Sequence, residues 1–207
     1  PPPQPFDDAQ DKPASAPQAL RLTLPESAPY MTYSLIGVTV FVYLLQLASQ
    51  AFLKFDFPVG LLAKSNDLIR DGQLWRLLTP ALVHGGIAHI GFNMYALFIF
   101  GVGLERAFGH WRFLLLYALG AFAGNVMSFL FTTGVSVGAS TAIFGLIGAE
   151  LVFLIQNRRL FAGQFRSAIG NVIFIIFVNL FLGLAPSIDN WGHIGGLVGG
   201  LMFASFA

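Results

Sequence analysis

The chain has 207 residues, 56% of them hydrophobic and only 10% charged, with a net charge of +1, 22 Phe and no Cys. A water-soluble domain of this size carries about 25% charged residues, so this chain has too little polar surface to coat a soluble globule. The charge balance gives no case for a nucleic-acid partner, and the lack of Cys excludes disulfides, thiolate metal sites and a cysteine nucleophile. A polytopic membrane protein, with the lipid bilayer as its solvent, is the class that remains.

Residues 1–29 are rich in Pro, Gln, Ala and Asp. They offer nothing to bury and read as a disordered tail, set apart from a membrane domain over residues 30–207. The chain opens at Pro1 with no cleavable signal pattern and stops inside an apolar run, as a trimmed sequence would. Residues 31–53 carry no charge and are long enough for a first membrane helix. The connection over 54–80 mixes charges (Lys54, Asp56, Lys64, Asp67, Arg70, Asp71, Arg76) with Phe55, Phe57, Leu61, Leu62, Leu74 and Trp75. A solvated linker has no use for those apolar groups, so an ordered, partly helical segment in the membrane interface is expected.

The second helix is expected over 77–104, with His84, His89 and Asn93 inside it. A short polar turn follows, with Glu105, Arg106, His110 and Arg112. Residues 113–149 hold no Asp, Glu, Lys or Arg. One helix that long would overshoot the bilayer, and the Thr132-Thr133-Gly134 segment divides it into a third and a fourth, the fourth over 139–157. Arg158, Arg159 and Arg166 mark the next turn. A fifth helix is expected over 167–184, stopped by Pro186, and a sixth from Asn190 onward. The arginines cluster in the turns after helices two and four. The positive-inside rule then places those turns and the N-terminus in the cytoplasm. Helices two, four and six all enter from the outer side, which puts His84, His89, Ser140 and His193 at a similar shallow depth.

Polar groups inside a membrane are costly and usually face a bundle interior or a cavity. Ser140 lies in Gly138-Ala139-Ser140-Thr141, between small residues that let a substrate backbone approach. A serine hydroxyl needs an adjacent base, and the bases within the bundle are His84, His89 and His193. Taken alone, Ser140 reads better as a small helix-packing residue than as a nucleophile. His193 sits among two sets of glycines, Gly192/Gly196/Gly200 and Gly195/Gly199, each repeating every four residues as in closely packed helices. An interhelical hydrogen bond would explain it; its match in depth with a serine favours a chemical role. His89 and Asn93, spaced i, i+4, share one helix face. As two donors aimed at one point they suit an oxyanion, or else a structural polar zipper. His84, five residues earlier, would point elsewhere. Asp189 could orient His193 but reads better as a solvated residue at a helix start. Glu150 lies too deep to touch Ser140.

These motifs together resemble the rhomboid intramembrane serine proteases. They are Trp75-Arg76, His84…His89…Asn93, Glu105-Arg106, Gly138-Ala139-Ser140 and Gly192-His193-Ile194-Gly195-Gly196. The resemblance implies an all-α, six-helix rhomboid-like bundle that cleaves peptide bonds in or near transmembrane segments of membrane-protein substrates, without a cofactor or metal. It implies that Ser140 is the nucleophile and His193 the general base of a dyad. His89, Asn93 and the Ser140 backbone N–H would form the oxyanion hole, and His84 and Phe144 would line the cavity. Trp75, Arg76, Glu105 and Arg106 would brace the first connection, with Gly138, Gly196 and Gly200 as structural positions. A polar cavity open to the outer face and residence in the plasma membrane are expected. Two departures stand out: Thr141 follows the serine where the family often has Gly, and Phe144 replaces a Tyr found in some members. The competing readings are an inactive rhomboid-like protein that binds membrane clients, and a histidine-based metal, haem or proton-conducting protein. The latter lacks any H-E-x-x-H motif.

Overall fold

The computed structural model describes residues 28–185 and 187–206. The tail expected at the N-terminus lies outside them except for Ala28 and Pro29, and so does Pro186. The described residues form six principal helices: α1 (Tyr30–Leu53), α2 (Ile87–Phe108), α3 (His110–Phe131), α4 (Ser140–Gln156), α5 (Phe165–Leu182) and α6 (Asn190–Phe206). Four of them (α1, α2, α3 and α5) are long and apolar enough to cross a membrane by length and composition. α4 and α6 have 17 residues each, about 25 Å at 1.5 Å per residue, just under a typical hydrocarbon core. Of these two short helices, α4 is the one enclosed by the others over most of its length.

The first connection is ordered. It contains short helices at Phe57–Leu62 and Asn66–Arg70 and tight 3₁₀ turns at Leu74–Leu77 and Thr79–Leu82. Asp56 caps the first of these, its carboxylate accepting from the Val59 N–H at 3.0 Å. Arg76 is buried and ties the segment together. Its guanidinium donates to the carbonyls of Ala63 (2.6 Å) and Gly60 (2.8 Å) and to the Gln73 side chain (2.7 Å). Trp75 donates from its indole to the Leu61 carbonyl at 3.2 Å.

The second helix starts ten residues later than expected, at Ile87 rather than near residue 77. Pro80 lacks an N–H and Gly85-Gly86 interrupts the helix; the intervening backbone turns in 3₁₀ fashion instead. His84 therefore lies in the loop before α2. Glu105 also differs from expectation. It does not touch the first connection but is fully buried against the start of α1, accepting from the backbone N–H groups of Met31 (2.8 Å) and Thr32 (2.7 Å) and from the Thr32 hydroxyl (2.6 Å). A carboxylate there satisfies orphan donors at the positive end of a helix. His110 adds a 2.5 Å contact from the other side. Arg106 is exposed.

The centre of the bundle is α3, α4 and α6, packed backbone to backbone. A Cβ on Gly200 would collide with the Gly145 carbonyl oxygen, and one on Gly196 with that of Thr141. Both glycines lie on the face of α6 that meets α4. A Cβ on Gly195 would come within 2.7 Å of the Ala123 carbonyl oxygen, and Gly199 also abuts Ala123, on the face that meets α3. The two glycine sets of the sequence thus serve two different partners. The order of contacts, Thr141 with Gly196 and then Gly145 with Gly200, makes α4 and α6 parallel. α5 is peripheral: Val172 is its buried residue, and its other side chains face outward or are half-covered.

Candidate active site

Parallel packing of α4 and α6 brings their N-terminal ends side by side. Ser140 is the first residue of α4, and His193 lies in the first turn of α6. The His193 Nε2 and Ser140 Oγ are 2.9 Å apart. The Phe144 ring, one turn along α4, stacks on the His193 imidazole with centroids 4.4 Å apart and planes at 9°. That face-on contact holds the ring plane while leaving Nε2 aimed at the serine. His193 is buried and its Nδ1 has no hydrogen-bond partner among the described residues. The arrangement is a pair, without a carboxylate behind the histidine.

Asp189 is engaged elsewhere. One carboxylate oxygen accepts from the Gly192 N–H at 2.9 Å and the other from the Ser128 hydroxyl. It is half-buried, so the sequence reading of a solvated loop residue gives way to one of a cap held on both oxygens.

The segment leading to Ser140 is shaped by Gly138, whose φ of +120° is strained for any residue with a side chain. A Cβ there would also come within 2.6 Å of the His89 Nε2. That glycine therefore lets the His89 ring lie directly against the backbone entering α4. The Gly85 N–H donates to the His89 Nδ1 at 3.3 Å. With Nδ1 accepting, the neutral ring carries its proton on Nε2, on the side toward Gly138. Asn93 is buried, and its amide donates to the His89 carbonyl one turn back, at 2.9 Å. One of its two N–H bonds is thus used within the helix and the other is left over.

His84 and His89 were expected to point apart, on the geometry of a single helix. With His84 in a loop that geometry does not apply, and the two rings meet edge to face, 5.1 Å between centroids. His84 is buried, and its Nε2 accepts the Ala139 N–H at 3.3 Å. Its backbone is clamped by Gln46 of α1, which donates to the His84 carbonyl and accepts from the His84 N–H, both at 3.0 Å. His84 also lines a cavity of about 70 Å³ toward α1, with Gln46, Gln50, Asp56 and Gly85. A larger concavity, about 370 Å³, lies among Gln156, Asn157, Arg158, Arg159 and Leu160 at the opposite end of α4. Sequence reasoning missed Gln46. A glutamine well inside an uncharged, largely apolar first helix is the signal that could have found it.

Chemically, the site offers a hydroxyl against an imidazole, beside backbone that no side chain caps. The N-cap position of α4, Ala139, makes no side-chain hydrogen bond to the first turn. The N–H of the half-buried Ser140 is thus left without a side-chain cap at the positive end of α4, where an anionic oxygen is favoured.

The family model for the rhomboid domain matches residues 71–207. Over 178 residues, 86% of this chain, the sequence is 43% identical to "Rhomboid protease GluP" of Bacillus subtilis (strain 168), covering 34% of that protein. It is 41% identical over 65% of its length to "RHOMBOID-like protein 1" of Arabidopsis thaliana, covering 35% of that protein. It is 34% identical over 83% of its length to the Arabidopsis "RHOMBOID-like protein 9, chloroplastic", covering 40% of it. The chain spans about a third of the length of the first two of these curated relatives. Its motifs, its apolar helices and these matches agree: the chain belongs to the rhomboid family and is an integral, multi-pass membrane protein.

Proposed function

We propose that this chain is an intramembrane serine endopeptidase, cleaving a peptide bond in or beside a transmembrane segment of another membrane protein. The observation that carries this reading is the 2.9 Å approach of the His193 Nε2 to the Ser140 Oγ. The naming of a similar Bacillus protein as a protease supports it. The six helices act as one domain over residues 30–207. The arginine turns and the N-terminus face the cytoplasm, and the plasma membrane is the site of action.

His193 takes the proton of Ser140 as Oγ attacks the scissile carbonyl carbon. Negative charge moves to the carbonyl oxygen, where the Ser140 N–H, the His89 Nε2–H and the free Asn93 N–H receive it. Collapse breaks the C–N bond, and the leaving amine takes the proton from His193. Water then enters, gives a proton to His193 and attacks the acyl-serine. The second product leaves as a carboxylic acid and Ser140 regains its proton. Phe144 keeps the imidazole plane fixed through both proton transfers.

Ser140→Ala and His193→Ala should each abolish cleavage of a transmembrane substrate in detergent or liposomes, with the protein still folded. The double variant should be no worse than either single one, because the two act as a unit. Substantial cleavage by Ser140→Ala would refute the nucleophile. Inertness of the unaltered chain toward both substrates and a serine-directed fluorophosphonate would instead favour an inactive client-binding rhomboid relative.

A further inference from the structure

Lys64 lies in the first connection, upstream of the segment that the rhomboid model matches, and its side chain is fully buried. A buried ammonium needs acceptors and a counter-charge. Its Nζ donates to the Thr132 hydroxyl at 2.9 Å, to the Gly134 carbonyl at 3.1 Å, and to the carbonyls of Ser128 and Thr132 at 3.3 Å. These acceptors lie in the last turn of α3 and the loop that follows it, at the helix end where a cation is favoured. The Lys64 backbone also pairs in both directions with Ser136, at 3.0 and 3.2 Å. The counter-charge lies two hydroxyls away: Ser128 donates to the Asp189 carboxylate, and Thr132 Oγ1 lies 3.1 Å from Ser128 Oγ and 2.8 Å from the Ser128 carbonyl, its one proton shared between these two acceptors.

We propose that Lys64 and Asp189 are positioning residues for the Ser140–His193 pair, joined through the Thr132 and Ser128 hydroxyls into one chain that fixes the loop entering α4 to the start of α6. The proposal rests on the peptidase reading above. Glycine packing fixes α4 against α6 and reaches their first turns where Gly192 meets Thr141, but it does not hold the loops that enter the two helices. On the serine side, Ala139 provides no side-chain cap, and Lys64 holds the preceding loop at Ser136 and Gly134. On the histidine side, Asp189 accepts from the Gly192 N–H with its side chain and from the His193 N–H with its carbonyl, at 3.2 Å. One network thus governs both ends of a 2.9 Å contact. Burial pushes the Lys64 ammonium below its usual range while Asp189 pulls it back up, which is how a cation–anion pair linked through hydroxyls behaves.

The test compares Asp189→Asn, Asp189→Ala, Ser128→Ala and Lys64→Met with the unaltered full chain. It follows kcat and KM on a transmembrane substrate, fluorophosphonate labelling of Ser140, and melting temperature. Asn is as good a cap as Asp, so Asp189→Asn keeps the Gly192 bond with its one carbonyl oxygen, while its NH2 cannot accept from Ser128, so the charge and the Ser128 link are lost together. It should lower kcat by about 10- to 100-fold, as small misplacements of reacting groups do, with KM within about twofold. Ser128→Ala, which keeps both charges and breaks the link, should lower kcat in the same sense. Lys64→Met with Asp189→Asn should be no worse than the poorer single variant, since the second change relieves the charge left unpaired by the first. If Asp189→Asn and Ser128→Ala keep wild-type kcat per folded molecule, while Asp189→Ala merely melts earlier, the positioning role is overturned and the peptidase reading stands. If the unaltered chain neither cleaves nor labels at Ser140, the peptidase reading falls and takes this proposal with it.

Discussion

Thr141 follows the serine where rhomboids often carry glycine, and its surroundings have made room for it. Its side chain is buried against two glycines: a Cβ on Gly124 of α3 would meet the Thr141 Cβ at 2.6 Å, and one on Gly192 of α6 the Thr141 methyl at 3.1 Å. The bulk added on α4 is thus offset by space on both neighbouring helices. Asn93 is the residue whose role is most open to a quantitative test. One N–H is bonded within α2 and one remains, so it can contribute a single bond to an oxyanion that has other donors. Removing an oxyanion donor typically costs about 10²–10³ in rate. For Asn93→Ala we expect the low end or less, seen mainly in kcat, with Ser140 labelling weakened but retained. Unchanged kcat with a lowered melting temperature would make Asn93 a packing residue. At this scale the sequence was uneven. Ser140 and His193 could be paired in advance because each opens a glycine-flanked apolar run at matched depth. The meeting of His84 with His89 was hidden by assuming a continuous helix, although Pro80 and Gly85-Gly86 signalled the break. The burial of Lys64 was not legible at all, since its partners are carbonyls from another helix and carry no motif.

Among the elements, α6 shows how a pattern of small residues becomes a distance. Gly192, Gly196 and Gly200 look toward α4, and Gly195 and Gly199 toward α3, so α6 is wedged between two backbones. A methyl group on Gly200 has no flexible side chain to push aside, because the Gly145 backbone stands in its way. Gly200→Ala should therefore destabilise by about 1–3 kcal/mol, the usual cost of overpacking, and lower the melting temperature. Gly170 of α5 has no atom within 4 Å of a Cβ position. Gly170→Ala should leave the melting temperature unchanged or raise it, since alanine costs less backbone entropy in a helix. Equal effects from the two changes would show that the glycines do not set the spacing. The helix boundaries were largely readable from charge-free runs, within a few residues except for α2. What remained unreadable was which side chains tie elements together: Glu105 caps α1 instead of bracing the connection, and Gln46 reaches from α1 to His84.

For the whole molecule, the proposed orientation rests on the arginines of the turns after α2 and α4. Arg158 and Arg159 are exposed beyond the C-terminal end of α4, and Thr133 is exposed near its N-terminal end. A cysteine introduced at Arg158 should react with an impermeant reagent only from the cytoplasmic side, and one at Thr133 only from outside. The reverse would place the Ser140–His193 pair on the cytoplasmic face. Fold class was the most legible level, because composition alone left few alternatives to a helical bundle in lipid.

The backbone contact between α4 and α6 also divides the labour of the protein. Atoms of the main chain cannot be exchanged by mutation, so the spacing it sets is closed to gradual adjustment by side-chain replacement. α5, with Val172 as its buried anchor, faces no such limit. On the peptidase reading proposed above, new substrate preferences can arise on that outer helix and in the loops while the Ser140–His193 pair stays as it is.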